Sequence, residues 1–240
     1  MSYQDTGNGS MPTDSLTMRV VNHIFEHIRK NQLSSGEVLP SELRTSTELQ
    51  VSRGVVREAF RSLEVAGIIE KENGRSPKVG VLNNSFLTHL MVHALSTRQV
   101  SVKQVLELRA SIEVKAAELA ARRRTRSDVQ RLRAAVEGMR QCAGRPNDFV
   151  RHDLDFHQVI NCATGNPLIE MICGAMQKSI KESMRIGLLK RRGKDEILNV
   201  VESHEKILEA IEEENAAQAE ARMRKHFEAT LRVLSRMDIN

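Results

Sequence analysis

Residues 39–71 read LPSELRTSTELQVSRGVVREAFRSLEVAGIIEK, and the spacing inside this stretch decides the amino-terminal fold. Pro40 has a fixed φ and no amide hydrogen, so a helix starts only after it, and Ser41 stands next as a cap for the orphan amides. That predicts a helix opening at Ser41 and ending near Leu49. Ser52 offers a second cap. After it Val56, Ala59, Phe60 and Leu63 form one apolar stripe, while Arg53, Arg57 and Arg61 recur every fourth residue on a different face. Beyond Gly67 the pattern changes to Ile68-Ile69-Glu70-Lys71, a turn at Asn73-Gly74 and a return through Val79 to Val81, which reads as a short β-hairpin. Upstream, Val20, Val21, Ile24 and Ile28 have helical spacing, and the segment runs out at Leu33-Ser34-Ser35-Gly36.

Three helices followed by a hairpin, with arginines on the third helix, make a winged helix-turn-helix. A helix fits the major groove, arginines near its start reach base edges or phosphates, and its amino-terminal amides favour a phosphate. Gly54 in the first turn of that helix costs about 1 kcal/mol relative to Ala, a cost that a close approach to a DNA backbone explains.

Past Asn83-Asn84 every periodic segment reads as helix, roughly over 85–95, 101–123, 127–142, 147–162, 166–187, 195–213 and 216–237. Breaks fall at Gly144-Arg145-Pro146, Gly165-Asn166-Pro167 and Arg192-Gly193. Without a fixed-period repeat this is a helical bundle. The expected organisation is a disordered tail over 1–14, a winged helix-turn-helix over 15–82 and an all-α domain over 83–240, a mainly α chain overall.

Composition agrees and excludes several classes. The 240 residues include no Trp and one Tyr, with aromatics at 3%, which leans away from sheet. No apolar run approaches the roughly 18 residues of a membrane span, and no signal-peptide pattern opens the chain, so a cytoplasmic protein with no membrane partner is expected. Three cysteines, Cys142, Cys162 and Cys173, lack metal-site pairing and read as small buried hydrophobes. Net charge is a poor guide to function: of the total of +5, residues 16–82 carry +2 and residues 83–240 carry +5, offset by two acids in the tail. The runs Arg122-Arg123-Arg124 and Lys190-Arg191-Arg192 read as solvated helix ends or loops.

The second constellation is Asp153-Leu154-Asp155-Phe156-His157, with His204 and His226 further along. Asp153 and His157 share a helix face with Val150, Leu154 and Ile160. His204 lies among Val200, Val201, Ile207, Leu208 and Ile211, and His226 among Met223, Phe227, Thr230 and Leu231. Polar groups in three apolar stripes are desolvated at a cost unless they meet one another. A carboxylate and three imidazoles meeting in the bundle would form an N/O site for a divalent ion, with zinc, nickel, manganese and iron all suited. The spacing alone is weak evidence, since His23/His27 and His89/His93 share it and have no assigned role.

The amino-terminal motifs, Leu39-Pro40-Ser41-Glu42, Val51-Ser52-Arg53, Val56-Arg57-Glu58-Ala59, Leu63-Glu64 and Gly67-Ile68-Ile69, resemble the DNA-binding domain of the GntR family in order and spacing. The resemblance implies DNA contacts from Ser52, Arg53, Gly54 and Arg57 on the recognition helix, and from Asn73, Gly74 and Arg75 at the wing tip. The second helix departs from the pattern. Leu43 stands where the family usually has Arg, with Arg44 one place later as a substitute contact; Thr45 replaces an apolar residue and Gln50 the turn Gly.

Across 104–236 the run Glu107-Leu108-Arg109, Ile112-Glu113, Ala116-Ala117, Leu119-Ala120-Ala121, then D-x-x-F-H, Thr164-Gly165-Asn166, His204 with Ile207-Leu208 and Ala210-Ile211, and Met223 with His226, is similar to the FCD ligand-binding domain of the FadR subfamily. By that resemblance Asp153, His157, His204 and His226 hold a divalent metal, zinc foremost, and Arg109 faces a carboxylate effector. The resemblance also implies a homodimer on a palindromic operator and a repressor released by a small carboxylate metabolite. No enzymatic activity is expected. Two alternatives are a metal-dependent hydrolase, which leaves the amino-terminal motifs unexplained, and a metalloregulator whose signal is the ion itself.

Overall fold

The computed structural model describes residues 15–72, 75–189 and 194–235. The tail over 1–14, the hairpin turn at Asn73-Gly74 and the Lys190-Arg191-Arg192 run therefore lie outside the described residues. The chain divides between Asn83 and Asn84 into two compact units.

The first unit contains α1 (Leu16–Lys30), α2 (Glu42–Leu49), α3 (Arg53–Val65), β1 (Ile69–Glu70) and β2 (Lys78–Val79). Its helices begin where a serine caps them. Ser15 Oγ accepts from the Met18 amide at 3.2 Å, Ser41 Oγ from Arg44 and Ser52 Oγ from Val55, both at 3.3 Å. Val20, Ile24, Leu39, Val56, Ala59, Phe60, Leu63 and Ile69 form the core. The strands pair antiparallel, Ile69 with Val79 and Glu70 with Lys78. A third extended piece joins them: Gly36 N donates to Val79 O (2.7 Å), Val79 N to Glu37 O (2.8 Å) and Leu39 N to Pro77 O (2.8 Å). The segment read only as a helix stop thus also covers the free side of the returning strand, satisfying an edge that would otherwise stay open.

The two departures in α2 have physical costs. Gln50 ends the helix at φ 52° and ψ 42°, a left-handed conformation that glycine adopts more readily. Thr45 is fully buried, and its hydroxyl meets no hydrogen-bond partner among the described residues. Leaving a buried hydroxyl unpaired costs about 1–3 kcal/mol. Thr45→Val, which keeps the shape and removes the orphan, is expected to stabilise this unit by about 1–2 kcal/mol, read as a higher denaturant midpoint at unchanged slope.

The second unit is a bundle of α4 (Ser85–Ser96), α5 (Val102–Arg123), α6 (Arg126–Gln141), α7 (Pro146–Ala163), α8 (Pro167–Leu189), α9 (Lys194–Glu212) and α10 (Ala216–Ser235). Reciprocal capping boxes open α5 (Ser101 with Gln104) and α6 (Thr125 with Asp128). Pro146 and Pro167 each occupy the first helical position, and Gly165 at φ 63° closes α7 in the left-handed conformation that favours glycine. Helix α5 is the spine, packing against α7, α8, α9 and α10, while α6 packs on α7 and α9 and α4 on α8. No helix of the described residues is long and apolar enough to cross a membrane.

Two expectations need correction. Arg122-Arg123-Arg124 does end α5, but two of its three side chains close other helices. Arg123 Nη1 donates to Thr164 O at 2.6 Å, and Arg124 donates to Glu212 O (2.9 Å) and Ile211 O (3.3 Å). The carbonyl ends of α7 and α9 carry partial negative charge and unpaired acceptors, which cations satisfy. Among the cysteines, Cys142 and Cys173 are buried but Cys162 is only half-buried.

Candidate functional site

Helix α7 contributes Asp153 and His157, α9 contributes His204 and α10 contributes His226, and all four side chains are buried. One ligand atom from each of the three imidazoles lies within 4.8 Å of the others. The ring centroids stand 4.5 Å apart for His204 and His226, 5.3 Å for His157 and His226, and 5.5 Å for His157 and His204. Phe156 walls the cluster on the His204 side at 4.8 Å, and Phe227 does so beside His226 at 5.4 Å.

The hydrogen bonds around the rings set their protonation. His204 Nδ1 lies 2.8 Å from Val200 O, a carbonyl that only accepts, so Nδ1 carries the proton and Nε2 keeps its lone pair in the neutral ring. His157 Nδ1 donates to the Glu113 carboxylate, which again leaves Nε2 as the lone-pair nitrogen. His226 Nδ1 is 3.2 Å from Ser203 Oγ. His157 and His204 are therefore tied at Nδ1 with Nε2 left over, the pattern in which outer partners orient metal-ligating histidines, while the hydroxyl that meets His226 Nδ1 can donate or accept. Asp153 Oδ1 sits 3.1 Å from His204 Nε2. A lone pair facing a carboxylate oxygen at that distance is repulsive unless a cation lies between them, either a proton or a metal ion.

Behind this cluster is a second buried layer. Arg109 Nε donates to Glu113 Oε1 at 2.7 Å, its guanidinium carbon stands 5.5 Å from the centre of the Phe227 ring, and both Arg109 and Glu113 are about fully buried. Asn161 Nδ2 reaches Glu113 Oε1 at 3.5 Å. Burial alone would raise the Glu113 carboxyl, but the charges of Arg109 and His157 outweigh it and hold the group at about 2. Burial likewise opposes ionisation of Asp153, and its contacts with His204, followed by the charges of His157 and Arg109, bring it below the usual carboxylate range. Burial lowers His157 and takes His226 well below the ordinary histidine value.

A histidine whose folded value lies below its unfolded value of about 6.5 stabilises the fold fully above 6.5 and loses that contribution as pH falls. The metal-free protein is expected to lose thermal midpoint from pH 6.5 downward, with a further loss between about 4.5 and 2 as Glu113 protonates. A flat midpoint from pH 7 to 5 in chelator-treated protein would contradict this.

Glu113 carries no role in the sequence reading, although a signal existed. Arg109 and Glu113 occupy the same α5 stripe as Val102, Val105, Ala116, Ala117 and Ala120, all buried. Two charges at core positions four apart mark a buried pair.

On the first unit, Ser52 caps α3, and Arg53, Gly54 and Arg57 lie exposed beyond it. Glu42 is placed between α3 and the hairpin, with Oε1 2.5 Å from Lys71 Nζ and Oε2 3.8 Å from Arg57 Nε. Arg44 on α2 pairs with Glu48 at 2.7 Å, and the exposed Arg75 pairs with Glu72; Asn73 and Gly74 are outside the described residues. A Cβ built on Gly54 would meet only Ser52 Oγ, at 3.7 Å. The chain's own packing therefore does not require glycine there.

Comparison with known proteins places both units. Residues 16–79 match the family described as bacterial regulatory proteins, gntR family, and residues 104–229 match the FCD domain. The HTH-type transcriptional regulator LutR of Bacillus subtilis is 30% identical over 212 residues, covering 87% of this chain and 96% of LutR. The Uxu operon transcriptional regulator of Escherichia coli is 31% identical over 85% of this chain and 81% of its own length. The solved structure of a Streptococcus agalactiae GntR superposes with a TM-score of 0.58 at 24% identity, covering 90% of this chain and 99% of that one, and shares the fold. The chain belongs to the GntR family of bacterial transcription regulators, joining a DNA-binding helix-turn-helix unit to an FCD domain.

Proposed function

We propose that this regulator is a homodimeric repressor that binds a palindromic operator and is released by a small carboxylate metabolite taken up beside a divalent metal ion, zinc foremost. The observation that carries the sensor half is the donor set of the bundle interior: three imidazoles, two of them tied off at Nδ1, with Asp153 Oδ1 3.1 Å from the His204 lone-pair nitrogen. Asp153, His157, His204 and His226 fit as ligands of such an ion, whose bonds to N and O are about 2.1 Å long and would draw the set slightly inward. A bound ion supplies positive charge and open positions for a carboxylate. Arg109 lies beside the cluster with its Nε edge held by Glu113, and its Nη1 is the donor we assign to that carboxylate. Ligand occupancy then has to favour one arrangement of the paired DNA-binding units over another, because a ligand indifferent to both shifts nothing.

The test is operator binding by the zinc-loaded full chain, followed by fluorescence anisotropy on a palindrome from its own upstream DNA, with and without a panel of organic acids. At least one acid is expected to lower affinity, and chelation should remove its effect. Affinity that rises with acid overturns release. Affinity that follows free zinc alone favours the metalloregulator, and consumption of a panel member favours the hydrolase.

On the DNA side Ser52, Arg53, Gly54 and Arg57, with Arg44 on α2 and Asn73, Gly74 and Arg75 on the wing, are assigned as contacts. Gly54 gives the sharpest check, since space within the chain would accept a side chain. Gly54→Ala is expected to stabilise the free protein by about 1 kcal/mol while lowering operator affinity roughly tenfold, the size of one mismatched contact. Equal affinity of variant and parent would remove Gly54 from the interface.

A further inference from the structure

No Asp, Glu, Lys or Arg occurs between Lys78 and Arg98, in a chain of which 28% is charged. Most of that stretch is α4, whose inner face packs Met91 and Leu95 onto the bundle core. Its outer face is exposed. His89 and His93 lie one turn apart at the middle of that face, with Phe86 and Leu90 on one flank and Val92 on the other, all open to solvent. Neither imidazole has a hydrogen-bond or ion-pair partner among the described residues. The other pair of equal spacing differs in this respect, since His23 meets Glu48 at 3.4 Å.

Two free imidazoles four residues apart on one helix face form a chelating pair for a late first-row divalent ion. They supply only half of a tetrahedral set. A second copy of the chain supplies the rest. In a two-fold contact each residue near the axis meets its own counterpart, so a face with histidines at its centre gathers four imidazoles inside a ring of Phe86, Leu90 and Val92. The lack of charge on this face matches the charge-poor centre of a protein interface. Only residues 80–84 join β2 to α4, at most about 20 Å of chain. Two chains paired at α4 have tethers that together cover the roughly 34–36 Å between half-sites one helical turn apart.

We propose that His89 and His93 of two chains share one late first-row divalent cation, such as zinc, across a two-fold axis, a metal site separate from the bundle interior. The inference rests on the homodimer of the preceding section and adds the ion that ties its halves together; it does not need metal in the interior. Where the interior set holds zinc, that buried site fills first, and the shared site takes ion added beyond one per chain.

The test is equilibrium dialysis of the chelator-stripped full chain against a series of free zinc concentrations, with bound zinc counted and mass followed by light scattering. The parent is expected to hold about half an ion per chain more than the His89→Gln/His93→Gln double variant, whose exposed substitutions leave the fold intact. Free zinc at ten times the dissociation constant of the shared site should tighten dimerisation of the parent about tenfold more than that of the double variant. Leu90→Lys sets two cations against each other at the axis and should lose the half ion with both histidines in place. Equal zinc contents of parent and double variant, a difference of a whole ion, or a half ion retained by Leu90→Lys each overturns the inference and leaves the homodimer standing. A chain that stays monomeric with and without zinc overturns both. Zinc remaining on the double variant reports the interior site alone, so failure of that site leaves the comparison unchanged.

Discussion

Zinc-loaded protein is expected to melt roughly 10 °C above the same protein stripped with a chelator, and His204→Ala should erase that gap. A ligand present at a thousand times its dissociation constant stabilises the folded state by about 4 kcal/mol, and each kcal/mol moves the midpoint of a domain this size by about 2–4 °C. His204 is the informative position because its Nδ1 is committed to Val200 O and its Nε2 faces Asp153 at 3.1 Å. Removing the ring takes away one proposed ligand and the imidazole that faces Asp153. The comparison is made within each variant, metal-loaded against metal-free, so that any loss of packing by the alanine cancels. Calorimetry showing the same midpoint for the loaded and stripped parent would exclude a resident ion.

The second large effect concerns Glu113. Glu113→Leu deletes the carboxylate that neutralises a fully buried Arg109, and breaking a buried pair from one side costs about 3–5 kcal/mol. Adding Arg109→Met should recover most of that loss, since replacing both charges with apolar groups of similar volume is often neutral or stabilising. Glu113→Gln separates the structural role from the functional one. It keeps the shape but loses the charge that holds His157 Nδ1–H, and it is expected to reduce zinc affinity by about 10–100-fold, measured by competition with a chelating dye. If the double variant is as unstable as Glu113→Leu, or Glu113→Gln binds zinc like the parent, Glu113 does not have the place given to it.

Much of the fold is legible because its determinants are local. Ser41, Ser52, Ser101 and Thr125 cap helices that begin immediately after them, and the prolines at 146 and 167 and the glycine at 165 mark ends through their own backbone geometry. The four candidate ligands are legible for a related reason: each is a polar residue inside an apolar stripe. What escaped the sequence depends on contacts distant along the chain. The Glu113–His157 bond joins α5 to α7 across 44 positions, and Arg124 reaches the end of α9 across 88. No periodicity reports such pairings. The strip over 36–39 belongs with them, since its pairing with β2 depends on where the hairpin folds back. Charge was uninformative at the DNA-reading end because acids such as Glu42, Glu48 and Glu72 sit against Arg57, Lys71, Arg44 and Arg75.

The open space around Gly54 has a consequence for anyone improving this protein. Natural chains sit near a stability threshold, so gains are easy to find, and their recurrent cost is function. A screen that rewards heat resistance alone would accept substitutions at both Thr45 and Gly54, because each relieves a local defect in the free chain. By the contact proposed for Gly54, only the first leaves operator binding as it was. An engineered strain selected in this way could accumulate a more robust regulator that no longer finds its operator.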